Sequence, residues 1–246
     1  MIPLRDSIPR VHTPWATWAI IACNALAFSW TLSLGPQARE VLFHLLGVVP
    51  LRFSEPALAA QVGFPPHGQY AFLTYMFLHG GWLHFLANMW TLWIFADNIE
   101  DVMGPLRFLC FYVCSGLAAL GVHYVFEMHS PVPVVGASGA IAGVMGAYFL
   151  LYPHARVTTL VPLFFIPLIF DLPAVIFLGF WFLSQFFSGV AGLVAPGQGG
   201  GIAWWAHAGG FVAGAVLLPL FRRPGRCRFC VAPEDDPLRR FPFLRR

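Results

Sequence analysis

Residues 137–152 read ASGAIAGVMGAYFLLY, a run of apolar and small residues that ends at Pro153. At 1.5 Å per residue, a helix of these 16 residues measures about 24 Å, less than the ~30 Å hydrocarbon core of a bilayer. Such a helix has to begin below one membrane surface, and the loop before it has to dip into the membrane. Irregular backbone at that depth is tolerated only where protein or water surrounds it. The run therefore predicts a membrane protein with a functional site at the start of this helix.

The composition of the whole chain agrees with a membrane protein. Of 246 residues, 58% are hydrophobic and 10% are charged, and the mean hydropathy is +0.71. Soluble domains carry about 25% charged residues, so this composition excludes a disordered chain and an ordinary cytosolic enzyme. All 14 basic residues are arginine, and 8 of them follow Phe221. This clustering indicates a cytoplasmic tail and not a nucleic-acid-binding surface.

Apolar runs recur along the chain and predict an all-α fold, a polytopic bundle of six transmembrane helices. The short fourth helix of this bundle carries the candidate site. We expect a short helix at 37–46, within the loop 35–80, and an interfacial or re-entrant piece at 157–170. A flexible loop is expected at 196–201. The predicted spans are 15–34, 82–99, 106–126, 137–152, 172–190 and 204–221.

The arginines orient the predicted bundle. An even number of spans places both ends on one side, and that side holds 12 arginines against 2 on the other. By the positive-inside rule, both termini are predicted to be cytoplasmic. The expected organisation is a cytoplasmic segment 1–14, a membrane domain 15–221 and an arginine-rich cytoplasmic tail 222–246.

Polar residues from three distant spans are expected at one depth. His84 and Asn88 lie four residues apart on one face of the second span, in its outer half. Ser138 begins the fourth span, and His207 lies one turn into the sixth, both of which also enter from outside. His79 comes just before the second span. Because polar side chains inside a membrane are costly, this convergence predicts a site.

Each of these residues also has a structural interpretation. Ser138 lies in a run of small residues of the kind that lets membrane helices pack closely. The glycines at 143 and 146 are expected to be packing positions. His84, Asn88 and His207 could form hydrogen bonds between helices. None of these interpretations explains why the four polar side chains share a depth.

A serine and a histidine at one depth favour nucleophilic catalysis. The histidine can take the serine proton, while Asn88, His84 and the Ser138 amide can donate hydrogen bonds to an oxyanion. A catalytic triad would need a carboxylate beside His207, in the outer half of the membrane. The candidate acidic residues are expected towards the cytoplasmic side, so the sequence predicts a Ser138–His207 dyad. These acidic residues are Asp97, Glu100, Asp101 and Asp171.

Three motifs together resemble the rhomboid family of intramembrane serine proteases. The run 79–88, HGGWLHFLAN, follows the His-x4-His-x3-Asn pattern of that family. The run 136–139, GASG, matches Gly-x-Ser-Gly, and 206–214, AHAGGFVAG, contains a histidine followed by two glycines four residues apart. The likeness covers nearly all of 15–221. The first outer loop, however, lacks the Trp-Arg pair of many rhomboids.

The resemblance implies a role for each matched residue. Ser138 would be the nucleophile and His207 the base, with Asn88 and His84 at the oxyanion hole. His79, Glu100, Gly136, Gly210 and Gly214 would support the site structurally. The substrates would be transmembrane segments of other membrane proteins, cut near the outer face, with no cofactor, metal or nucleic acid. The expected location is a bacterial inner membrane.

Other functions stay open at this point. A scaffold or chaperone on the same fold would need neither Ser138 nor His207, and both are present. A metal site formed by His79, His84 and His207 would lack any carboxylate or cysteine beside it. Cys227 and Cys230 are expected to be reduced tail thiols or, alternatively, half of a zinc site shared between chains.

Overall fold

The computed structural model describes residues 1–65, 67–163, 166–194 and 202–230. The predicted loop at 196–201 and the tail after residue 230 lie outside this part of the chain. Two short 3₁₀ turns, Tyr75–Phe77 and Pro224–Arg226, accompany the helices and strands. In chain order, the described elements are β1 (Ile2–Asp6), α1 (Trp15–Ser33), α2 (Pro36–Leu46), α3 (Pro50–Ser54), α4 (Pro56–Gln61), α5 (Ala71–Thr74), α6 (Trp82–Met103), α7 (Pro105–Glu127), α8 (Ser138–Leu151), β2 (Arg156–Leu163), β3 (Ile166–Pro173), α9 (Ala174–Val194) and α10 (Trp204–Phe221).

Long apolar helices make the chain an integral membrane protein. Among the described residues, 4 helices are long and apolar enough to cross a membrane, namely α1, α7, α9 and α10. Helix α6 has 22 residues but carries three acidic side chains in its last turns. Helix α8 has only 14 residues. All six predicted spans are therefore helices, and their start and end residues agree with the prediction to within four residues.

The all-α prediction is wrong in one region, because the chain also forms a three-stranded sheet of order β1-β2-β3. Strands β2 and β3 form an antiparallel hairpin, with Arg156 opposite Pro173 and Leu163 opposite Ile166. Strand β1 pairs antiparallel with the other edge of β2. The region is rich in Val, Ile, Thr and Phe, which favour strands, and its prolines at 162 and 167 are incompatible with a continuous helix.

Two acidic residues near the end of α6 hold the chain that precedes α1. The Glu100 carboxylate accepts hydrogen bonds from the backbone N–H groups of Ala16 and Thr17 at 2.9 and 2.8 Å. The Asp101 carboxylate accepts from the backbone N–H groups of Val11 and His12 at 2.6 and 2.8 Å. Because N–H groups at a helix start have no partner within the helix, Glu100 satisfies the first turn of α1. Helix α6 continues past Ile99, where the sequence predicted its end, to Met103, and both carboxylates are paired within that extension.

Helix α8 lies at the centre of the bundle, with α7 and α10 closely packed against it. Small residues permit the approach of α10. A Cβ on Gly210 would collide with the carbonyl oxygen of Gly139, and one on Gly214 with that of Gly143. On α8, a Cβ on Gly146 would collide with the carbonyl oxygen of Phe211. Backbone therefore meets backbone along the α8–α10 contact, and this contact fixes the relative positions of the first residues of both helices.

We expect Gly214→Ala to destabilise the protein, because the added methyl group has only backbone to displace. Overpacking of this kind costs about 1–3 kcal/mol, which should lower the melting temperature in detergent by several degrees. Gly121→Ala on α7 is the matched control, since its Cβ would meet nothing within 4 Å. A Gly214→Ala protein that melts like the Gly121→Ala protein would contradict the close contact.

The two tail cysteines differ from the prediction. The structure joins Cys227 and Cys230 in a disulfide, a form that the sequence prediction did not include. Their Cα atoms are 5.5 Å apart, within the usual range for a disulfide. Two residues between the cysteines are compatible with a disulfide, with free thiols and with half of a zinc site. The sequence alone therefore does not decide among these forms.

Candidate active site

Ser138 is the first residue of α8, and the loop before it is held in place by buried contacts. The backbone N–H of Gly136 donates to the carbonyl oxygen of Tyr75 at 2.9 Å. Gly136 has φ +127°, a conformation that favours glycine, and a Cβ there would lie 2.7 Å from His84 Nε2. The same Cβ would lie 3.6 Å from Ser138 Oγ. Gly136 therefore lets the His84 ring and the Ser138 hydroxyl approach the same loop.

Ser138 and His207 are hydrogen-bonded to each other. The distance between Ser138 Oγ and His207 Nε2 is 2.8 Å, although the residues are 69 apart in sequence. Both side chains are half-buried. His207 lies in the first turn of α10, so the backbone contact between α8 and α10 places both residues at the same end of the helix pair. This distance is suitable for proton transfer from a serine to a histidine.

Gln185 on α9 contacts the other nitrogen of the same imidazole. The distance from His207 Nδ1 to Gln185 Oε1 is 2.7 Å, and Gln185 Nε2 donates to Ser184 Oγ at 3.0 Å. Because the amide nitrogen donates to Ser184, the amide oxygen is left to accept from Nδ1–H. The proton on Nδ1 then leaves Nε2 with a free lone pair, which is the tautomer that can accept the Ser138 proton.

Gln185 was not among the predicted site residues, although the sequence carries a signal for it. It is the only residue in α9 with an amide or charged side chain. The rest of the helix consists of apolar residues, glycines, one tryptophan and two serines. A buried polar side chain inside a membrane helix needs a partner, and Gln185 has an exposed fraction of only 9%. Its role follows only from its contact with His207 on the neighbouring helix.

Helix α6, the predicted second span, carries two further polar residues of the predicted site. Asn88 is 93% buried, and its side-chain nitrogen has no hydrogen-bond partner among the described residues. An unpaired buried amide donor is costly, so Asn88 is a donor available to a ligand. His84 is half-buried and lies against Gly136, two residues before Ser138.

His79 lies in an aromatic cluster and not against the serine. Its ring packs edge-on against Phe28, Phe85 and His84, with ring centroids 6.3, 5.4 and 5.1 Å away. Burial and, to a smaller extent, the His84 ring lower the pKa of the His79 imidazole to about 4, which keeps it neutral at physiological pH. His79 thus joins the loop before α6 to α1.

The acidic residues form hydrogen bonds elsewhere. Glu100 and Asp101 hold the chain before α1, and Asp171 accepts from the Thr158 hydroxyl at 2.7 Å. Asp97 accepts from the backbone N–H of Asn98 at 2.8 Å. In the part of the chain that the structure describes, no group of three or more His, Cys, Asp or Glu side chains is arranged to hold a metal ion.

Comparison with known proteins agrees with this arrangement of helices and motifs. The family model described as the Rhomboid domain matches residues 66–224, which is more than half of the chain. These residues include every side chain of the site described above.

Individual relatives are similar over shorter stretches. RHOMBOID-like protein 5 of Arabidopsis thaliana is 31% identical over 160 residues, 56% of this chain and 52% of that protein. The mitochondrial presenilin-associated rhomboid-like protein of Mus musculus is 30% identical over 140 residues, 56% of this chain and 33% of that protein. YdcA of Bacillus subtilis (strain 168), which its name describes as a candidate rhomboid protease, is 39% identical over 79 residues, 32% of this chain and 39% of that protein.

The matched part spans about half or less of each of these relatives. The domain match itself covers α6 to α10, the helices that carry Asn88, Ser138, Gln185 and His207. With that match over more than half of its length, the chain belongs to the rhomboid family.

Proposed function

We propose that this protein is an intramembrane serine endopeptidase that cuts transmembrane segments of other membrane proteins near the outer face of the membrane. The observation that carries the proposal is the hydrogen-bonded chain from Ser138 through His207 to Gln185, with distances of 2.8 and 2.7 Å. Membership of the rhomboid family supports it, since one relative is named as a candidate rhomboid protease. No cofactor takes part in the proposed reaction.

The first half of the reaction uses His207 as a base. As Ser138 Oγ attacks the scissile carbonyl carbon, its proton moves to His207 Nε2, and the carbonyl oxygen gains the negative charge. Asn88, His84 and the Ser138 N–H are the proposed donors to this oxyanion. The Ser138 N–H is free for this role because the first N–H groups of a helix have no partner within it. When the C–N bond breaks, the Nε2 proton goes to the leaving amine.

The second half hydrolyses the acyl-enzyme. A water molecule attacks the ester carbonyl while His207 takes one of its protons, and the same proton then returns to Ser138 Oγ. Gln185 holds the imidazole in position through both halves. Its side chain is neutral, so it orients the ring without supplying the negative charge that an aspartate would provide.

Gln185→Ala should lower kcat by roughly 10- to 100-fold with little change in KM, since a misplaced imidazole slows the reaction but leaves substrate binding intact. Gln185→Glu should recover most of the rate, because its carboxylate can accept the same bond from Nδ1–H. Ser188→Ala, one turn further along α9, is the matched control. Full activity of Gln185→Ala would exclude the positioning role.

The proposal includes six spans in a bacterial plasma membrane, with the chain entering α1 and leaving α10 on the cytoplasmic side. The 12-to-2 division of arginines supports the orientation. A bacterial relative supports the location, although other relatives have mitochondrial names. Reporter fusions after Gly200 and at the C-terminus should therefore report opposite sides of the membrane. If both report the same side, the assignment of Ser138 to the outer half is wrong.

Purified protein in detergent tests the activity directly. It should cleave a transmembrane test substrate that has small and helix-destabilising residues near its outer end, and a fluorophosphonate probe should label Ser138. A protein that is folded, as judged by its melting temperature, yet neither cleaves nor reacts with the probe would favour the scaffold function instead.

A further inference from the structure

The chain before α1 lies alongside α6. Its last residues contact the C-terminal end of α6, and its first residues contact the middle of that helix. The N–H groups of Val11 and His12 contact Asp101, and the Asn98 side chain donates to the carbonyl oxygen of Ile8. Further up, Trp90 Nε1 donates to the carbonyl oxygen of Pro3 at 2.6 Å. From Asp101 to Trp90, α6 rises by about 16 Å at 1.5 Å per residue. Strand β1 therefore lies beside the middle of a helix that sits in the membrane.

The other two strands follow β1 to the same depth. Asp6 pairs with Val157, and Ile2 pairs with Leu160, so β2 runs alongside β1 and continues beyond it. Val157 and Thr159 are fully buried, which places one side of β2 against the bundle. The hairpin end, formed by 160–163 and 166–170, thus lies level with or beyond the middle of α6.

Polar side chains are confined to the opposite end of the sheet. Arg5 Nε donates to Thr158 Oγ1 at 3.3 Å, and the Thr158 hydroxyl donates to Asp171 at 2.7 Å. By contrast, residues 161–170 read VPLFFIPLIF and contain no polar side chain. The polar end is the one nearer the acidic end of α6, and the apolar end is the one level with or beyond the middle of α6. The polarity of the sheet changes along its length as a membrane does from its surface to its interior.

The apolar end of the hairpin is uncovered on both faces. Leu168 and Ile169, which are adjacent and so point to opposite faces, are 40% and 59% exposed. Contiguous exposed patches of this kind are rare on water-facing surfaces. Exposed apolar residues also lie on the two helices that the sheet contacts, for example Trp93 on α6 and Phe180 on α9. Exposed apolar side chains on the sheet and on the helices beside it favour one apolar solvent for both.

The outer edge of β3 has few donors that a lipid would leave unpaired. Pro162 and Pro167 face each other in the hairpin, and prolines in a sheet occupy positions where the missing N–H would point outward. Because outward positions alternate along an antiparallel strand, Pro167, Ile169, Asp171 and Pro173 share the outer edge. Two of these four residues have no N–H, so this edge exposes two backbone donors fewer than a strand without proline would.

We propose that the distal half of this sheet, 160–163 and 166–170, is embedded in the bilayer and packs against lipid acyl chains. This part of the protein would be a β-hairpin that enters the membrane beside α6 and α9. The proposal concerns the position of the sheet in the membrane and does not depend on the catalytic function.

Spin labels on the protein in liposomes test the position. With the native cysteines replaced by alanine, labels at residues 168 and 169 should be relaxed by oxygen and protected from a water-soluble nickel chelate, as a label at Phe180 should be. A label at His129, in an exposed loop, is the aqueous control. Access of the nickel chelate to residue 168 or 169 would overturn the proposal. So would protection from both reagents, which would indicate a covering protein surface such as a second copy of the chain.

A second measurement uses the unmodified chain and so does not depend on folding of the labelled variants. Lipids with a photoactivated diazirine at the end of the acyl chain should form adducts within 166–170, detected by mass spectrometry. Adducts on α9 without any on 166–170 would contradict the proposal.

Discussion

Ser138→Ala and His207→Ala should each lower kcat by about 10⁴-fold or more, and the double variant should be no slower than either single variant. The reason is that the hydroxyl and the imidazole act as one unit through their 2.8 Å hydrogen bond, so removing either disables both. The measurement is cleavage of a transmembrane substrate in detergent, with kcat per folded molecule obtained from each protein's melting curve.

Two control substitutions separate chemistry from folding. Ser115→Ala removes another buried serine of the bundle, whose hydroxyl has no partner among the described residues, and His44→Ala removes an imidazole on α2. Both should leave kcat nearly unchanged. Fluorophosphonate labelling should be lost in Ser138→Ala and be weak in His207→Ala. Substantial turnover by either single dyad variant would exclude the mechanism.

The second large effect is expected at Asn88, where an oxyanion donor and a helix-to-helix contact predict opposite results. Because the buried Asn88 nitrogen has no partner among the described residues, Asn88→Ala breaks no bond in the free protein and should barely change the melting temperature. It should lower kcat by about 10²- to 10³-fold, as the loss of one oxyanion donor does elsewhere.

His79 and His84 serve as comparisons on the same loop and helix. His79→Ala should lower the melting temperature first and the rate second, because its ring packs against Phe28 and Phe85 and does not contact Ser138. His84→Ala should change both, since the ring lies against Gly136. If Asn88→Ala melts much lower yet turns over normally, Asn88 is a structural residue, and the oxyanion assignment is wrong even if the dyad is correct.

The helices were predictable because span length and apolar composition depend on local sequence alone. The sixth predicted span, 204–221, agrees with α10 at both ends. The second was predicted to end at Ile99, because acidic residues usually mark the end of a span. In the structure, Glu100 and Asp101 pair with backbone N–H groups of residues 11–17, more than 80 positions earlier. That pairing is tertiary, and no local pattern could reveal it.

The sheet and Gln185 escaped prediction for related reasons. Residues 157–170 were classified by hydropathy, which does not distinguish an apolar strand from an apolar helix, although their β-branched residues and prolines favoured a strand. The pairing of β1 with β2 depends on residues far apart in sequence. Gln185 could be recognised as unusual in α9, but its contact with His207 depends on how α9 and α10 pack, which the sequence leaves undetermined.

The pairing of β1 with β2 also sets an order for biosynthesis. Arg5 and its partner Thr158 are 153 residues apart. At a translation rate of about 5–20 residues per second, β1 exists for roughly 8–30 s before β2 leaves the ribosome. Helices α1 to α8 are synthesised during that interval. Strand β1 therefore stays unpaired while these helices insert into the membrane. Closure of the sheet is therefore a late step in assembly, and a ribosome stalled before residue 156 would hold a nascent chain that has Ser138 but lacks His207, Gln185 and the sheet.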